Sequence, residues 1–133
     1  MMEFKPCVKI HQEIDIVGAR QLGRQYAKQL GFNTVDQARI ATAISELTRN
    51  IYLYAKSGKV YFDVIDQINR KGLKICAIDN GPGIQDIGQV MQDGYSTSGG
   101  LGAGLPGVKR LMDQFNIQSD QDGTRIEVIK WVR

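Results

Sequence analysis

The chain is poor in the residues that build stapled, metal-bound or membrane-spanning proteins. It has one histidine and two cysteines, and Cys7 and Cys76 lie far apart, without the paired spacing of a zinc site or a disulfide framework. Both fall in apolar, strand-like patterns and are expected to be reduced core residues. No segment approaches the about 20 consecutive apolar residues that cross a bilayer, and the N-terminus has no basic stretch followed by a long apolar run. A cytoplasmic protein without a membrane partner is expected. Basic blocks are also missing: the net charge of +3 comes from 17 basic and 14 acidic residues mixed along the chain. With no aromatic-rich basic stretch, nucleic acid is not expected as a partner. Arg20, Arg24 and Lys28 recur every fourth residue and would line one helix face, which reads as a solvated face in preference to a dock for an acidic partner.

What the chain does have is enough apolar material for one core. At 133 residues and 42% hydrophobic, a single domain spanning 1–133 is expected. Alternation between Phe4 and Ile10 predicts a strand, and the spacing of Val17, Leu22 and Ala27 predicts a helix over 14–30, closed by Gly31. Thr34 with Gln37 suggests a capping box for a second helix, whose stripe runs through Ala38, Ala41, Ile44, Leu47 and Ile51 and ends near Ala55. Val60, Phe62 and Val64 alternate, and Leu73 to Ile78 is denser, so the two read as a hairpin around Asn69 to Gly72. Asp86 could cap a short helix to Met91, and the Gly-, Ser- and Thr-rich residues 92–104 read as a long mobile loop. Pro106 suits the first turn of a third long helix through Val108, Leu111, Met112 and Phe115. Ile117, a turn at Asp120 to Gly123 and a strand from Thr124 to Val132 complete the chain. Helices set apart from hairpin-connected strands imply an α+β two-layer sandwich, with three main helices covering one face of a mixed, mostly antiparallel sheet.

Three segments could carry chemistry. Gly102-Ala-Gly104-Leu-Pro-Gly107 matches the spacing of a dinucleotide-binding turn, but the polar loop before it is not the strand that such a turn requires. What remains is general: glycines let backbone N–H groups approach phosphate oxygens, and Leu105 and Pro106 begin a helix whose first amides favour an anion. Glu46 and Asn50, four residues apart, share one helix face. An amide oxygen there could ligate magnesium beside nucleotide phosphates while the carboxylate accepts a proton from a hydroxyl, although the pair taken alone reads first as surface residues on an exposed helix. Asp79 closes an apolar strand before Gly81 and Gly83, where its carboxylate could accept a hydrogen bond from an adenine amino group, or simply belong to a turn.

Together, Glu46-x-x-x-Asn50, Asp79-x-Gly81-x-Gly83, a lid of about twenty residues, Gly100-x-Gly102-x-Gly104-Leu105 and Gly123-Thr124 resemble, in order, the N box and the three glycine boxes of the GHKL ATPases, the group of gyrase, histidine kinases and MutL. The resemblance implies the Bergerat fold with ATP and Mg2+. No dimerisation helix pair or phosphoacceptor segment is read, and His11, in a strand-like segment, is expected at a core edge or surface, so an intact histidine kinase is not expected. Residues Ile44 to Leu47, Asn50 to Ala55 and Ser96 to Asp113 are similar to serine/threonine kinases of bacterial partner-switching systems. That likeness implies transfer of the ATP γ-phosphate to STAS-domain stressosome proteins, which also dock the kinase, and activation of a PP2C-type phosphatase on release. Glu46 would be the general base, Asn50 the magnesium ligand, Asp79 the adenine anchor beside Gly81 and Gly83, and Thr124 a support for adenine. Ser98, Gly99, Gly100, Leu101, Gly102, Ala103, Gly104 and Leu105 would form the phosphate-binding lid. A related family uses the same fold as an anti-sigma factor that sequesters a sigma subunit, and this is the alternative.

Overall fold

The computed structural model describes residues 6–84, 87–92 and 104–133. After strand β1 (Cys7–Ile10), helix α1 (Glu13–Leu30) starts where the Asp15 carboxylate accepts the Gln12 and His11 N–H groups at 2.8 and 2.9 Å. It ends at Gly31, whose φ of 93° turns the chain so that its N–H reaches the Lys28 carbonyl and buried Phe32 donates to Ala27. Helix α2 (Thr34–Asn50) is capped one residue earlier than the sequence suggests: the Asn33 side chain accepts the Asp36 N–H at 2.8 Å, and Gln37 donates to the Phe32 carbonyl instead of completing a box with Thr34. The helical path continues to Ala55, as expected, but residues Ile51–Ala55 form a π-helical turn that ends at Lys56 with φ 70°.

The hairpin forms as expected from strands β2 (Gly58–Asp66) and β3 (Lys71–Asp79), followed by the short helix α3 (Ile87–Val90). The third long helix is corrected: α4 covers only Gly104–Leu111, and Phe115 belongs to strand β4 (Gln114–Asp120). The physical reason lies at Asp113, whose N–H donates to the Ile129 carbonyl while its carboxylate accepts the Trp131 N–H, so the chain is drawn onto β5 (Gly123–Trp131) before another helical turn can form. The sheet order is β1-β2-β3-β5-β4, and each of these four pairings is antiparallel, narrower than the mixed sheet expected.

Alternation along the central strands turns Val60, Phe62, Leu73, Ile75, Ala77, Ile126 and Val128 toward α1, α2 and α4, where they meet Ala27, Ile40, Ile44, Leu47 and Val108. Tyr26 stacks on Phe62 with ring centroids 5.8 Å apart. Two expected core members are corrected. Ala38 is exposed because the buried stripe of α2 runs through Ile40 and Ala43, and Cys7 is exposed because the outer strand leaves its side chain uncovered, whereas Cys76 is buried. His11 is exposed, and so are Arg24 and Lys28, with Arg20 half-buried. Among the described residues no helix is long and apolar enough to cross a membrane.

Candidate functional site

Glu46 lies in the last two turns of α2 with 2% of its surface exposed, so the reading of it as a surface residue fails. A carboxylate this deeply placed needs a partner, and the Arg49 guanidinium lies 3.2 Å from its Oε1. Asn50, one turn on, is half-buried at the last position of α2, where the backbone passes into the π-helical turn.

Asp79 is the last residue of β3, half-buried, and in register with Gly58 on one side and Thr124 on the other. Burial pushes its carboxyl above the usual aspartate value of 3.8, against the pull of the Gly81 and Thr124 backbone N–H groups. The Gly81 bond to Oδ1 is 2.9 Å long.

Two close approaches join these parts. A β-carbon at Gly81 would lie 2.7 Å from the Ala55 side chain, so the π-helical turn after Asn50 rests directly on the turn after Asp79, and only glycine leaves room for it. Gly83 has φ 82°, and a side chain there would collide with the Asp120 carbonyl. Ser119 is the residue that sequence reasoning missed. Its hydroxyl accepts the Ile84 N–H at 2.7 Å and shares a hydrogen bond with the Thr124 hydroxyl at 2.8 Å, tying the loop after Gly83 to β4 and β5. No local signal marks it, since a serine on an alternating strand is ordinary until the loop folds back onto it. Thr124 is buried and touches both Ser119 and, through its N–H, Asp79.

The structure thus brings Asp79, Gly81, Gly83 and Thr124 together and joins them to the end of α2 that bears Glu46 and Asn50. Gly104 and Leu105, the first residues of α4, are buried, and α4 packs on α2. The remaining lid positions, Ser98, Gly99, Gly100, Leu101, Gly102 and Ala103, lie outside the described residues, as does Asp86.

A deep carboxylate, an amide at a helix end and a strand-end aspartate over glycines thus lie on elements that pack against one another. Residues 35–132 match the model of the "Histidine kinase-, DNA gyrase B-, and HSP90-like ATPase" family, and the chain belongs to it. Within it, the chain is 63% identical over 133 residues to Serine/threonine-protein kinase RsbT of Bacillus subtilis (strain 168), covering 99% of this chain and 100% of that one. With likeness of that degree along both whole chains, the protein is an ATP-dependent protein serine/threonine kinase. It is also 29% identical over 137 residues to Anti-sigma F factor of Caldanaerobacter subterraneus subsp. tengcongensis, covering 99% of this chain and 94% of the relative. Among solved structures, the RsbU and RsbW domains of Rv1364c from Mycobacterium tuberculosis share the fold with a TM-score of 0.64 at 18% identity; the match covers 94% of this chain and 32% of that one. The catalytic domain of histidine kinase ThkA shares it with a TM-score of 0.56 at 14% identity, covering 94% and 95% of the two chains.

Proposed function

We propose that the protein is a partner-switching kinase that transfers the γ-phosphate of ATP to serine or threonine hydroxyls of STAS-domain stressosome proteins and, once released from them, activates a PP2C-type phosphatase. The observation that carries the reading is the contact of Ala55 with Gly81, which sets the Asn50 end of α2 against the Asp79 turn. Adenine and phosphates of one nucleotide can then be held by two elements that pack on each other.

Asp79 accepts a hydrogen bond from the adenine amino group, a further donor to a carboxylate whose affinity for a proton burial has raised. Gly81 leaves space for the base, and Thr124 steadies the carboxylate from β5. Phosphates lie toward the first amides of α4, at Gly104 and Leu105. Glu46, buried and flanked by Arg49, accepts the proton of the attacking hydroxyl. Among the described residues no three His, Cys, Asp or Glu side chains gather to hold a metal. Magnesium would be carried with the nucleotide, Asn50 giving one amide oxygen and phosphates and water the rest. When bound, the ion neutralises charge on the phosphates.

Incubation with γ-labelled ATP, magnesium and a STAS-domain partner tests the reading: label is expected on a serine or threonine of the partner, and an unlabelled partner overturns it. The likeness to Anti-sigma F factor supports a second reading, sequestration of a sigma subunit. Stable co-purification with a sigma factor, without STAS phosphorylation, would favour it.

A further inference from the structure

Alternation along β5 turns Ile126 and Val128 into the core, and it turns Lys130 the same way. Lys130 is 5% exposed, and its Nζ donates to the carbonyl of Leu111, the last residue of α4, at 2.7 Å. Two carboxylates flank the ammonium: Asp36 in the first turn of α2, 3.7 Å away and 2% exposed, and Asp113 just before β4, 3.9 Å away. Arg39 and Arg133 pair with the same carboxylate oxygens, Asp36 Oδ1 and Asp113 Oδ1, that face the ammonium. One ammonium thus joins the C-terminal end of α4, the N-terminal turn of α2 and the end of β5.

Burying an ammonium carries a desolvation penalty, and an apolar side chain of similar volume would fill the same space without it. What the ion adds is direction: the ammonium meets the negative end of the α4 dipole and the unpaired carbonyl there, which an apolar side chain cannot do. Helix α4 has only eight residues, about 12 Å of axis, so fixing one end aims the other. The aimed end is Gly104 and Leu105. The same ion grips α2 at Asp36, about three turns before Glu46 and about four before Asn50 on that helix.

We propose that Lys130 is a positioning residue for triphosphate binding, holding α4 against α2 so that the first amides of α4 stay aligned with the phosphates. The inference rests on the division of the site proposed above, with adenine at Asp79 and phosphates at α4. Because Lys130 acts on the phosphate half alone, its loss separates ligands that differ only in phosphate.

Calorimetric titration of the full chain with ATP and with adenosine tests this. Lys130→Met is expected to weaken ATP about tenfold while adenosine affinity and the folded fraction stay as in the unmodified protein. Equal weakening of both ligands, or of neither, overturns it. Asp36→Asn leaves Lys130 on the Leu111 carbonyl and keeps the test open if the methionine variant does not fold: ATP alone should weaken, by about threefold, and a parallel change in adenosine contradicts the proposal. Asp79→Asn in the same titrations checks the underlying division separately. It should weaken both ligands, and if it weakens neither, the adenine reading falls and the inference with it.

Discussion

Asp79 faces opposite demands from folding and from function. Its carboxyl binds a proton more tightly in the folded chain than in the unfolded one, where the value is 3.8. The stability this contributes is fully present below that value and is lost as pH rises through the higher folded value, so at neutral pH the ionised group is a net cost to the fold. Asp79→Asn should therefore leave the thermal midpoint at pH 7 unchanged or raised. The same change removes a charge-assisted hydrogen bond worth about 1.5–3 kcal/mol and should lower ATP affinity by about 10- to 100-fold. A lower midpoint with unchanged ATP affinity would contradict both halves. Glu46, Asn50, Asp79 and Thr124 stood out as candidates in the sequence because the order and spacing of their motifs are properties of the chain itself. Ser119 and Lys130 were not. A loop must return to Ser119 before it matters, and a lysine near a strand end reads as solvated even where alternation turns it inward.

Helix α2 and the turn after Asp79 are the elements that bring the two halves of the proposed site together, and both depend on backbone detail that apolar periodicity does not encode. The periodicity located α2 and its end near Ala55 but could not distinguish an α-helical from a π-helical turn at residues 51–55. The same pattern misled at α4: Val108, Leu111, Met112 and Phe115 have helical spacing, yet hydrogen bonds from Asp113 to β5 end the helix at Leu111. No local signal competes with a tertiary bond of that kind. The glycine turn gives a test at this scale. Gly83→Ala adds a β-carbon at positive φ against the Asp120 carbonyl, and should cost at least about 1–3 kcal/mol in denaturant unfolding. ATP binding should weaken with it, because the loop shifts away from Ser119. Unchanged stability would mean that the turn can rearrange freely and does not hold the site.

For the molecule as a whole, helices on one face of an antiparallel sheet were legible from hairpin spacing and segregated helices, while the ionic clasp between α2, α4 and β5 appears only once the layers are packed. That clasp sets part of the response to acid. Burial pulls the Asp113 carboxyl up, but the Trp131 N–H, Arg133 and Lys130 together hold it below 3.8. Its contribution is present above 3.8 and lost as pH falls through the lower folded value. Solvent screens the exposed Arg133 side, so Asp113→Asn should cost no more than about 1 kcal/mol at neutral pH. The difference from the unmodified protein should be flat above about pH 5 and shrink only in stronger acid, opposite in sign to Asp79. A difference growing toward low pH would contradict the clasp as described. The most direct measurement on the central claim is phosphoryl transfer to a STAS-domain partner by Glu46→Gln, with ATP affinity measured on the same preparation. ATP should bind as in the unmodified protein while transfer falls by about 100- to 10,000-fold; transfer within about twofold of the unmodified rate would contradict Glu46 as the base.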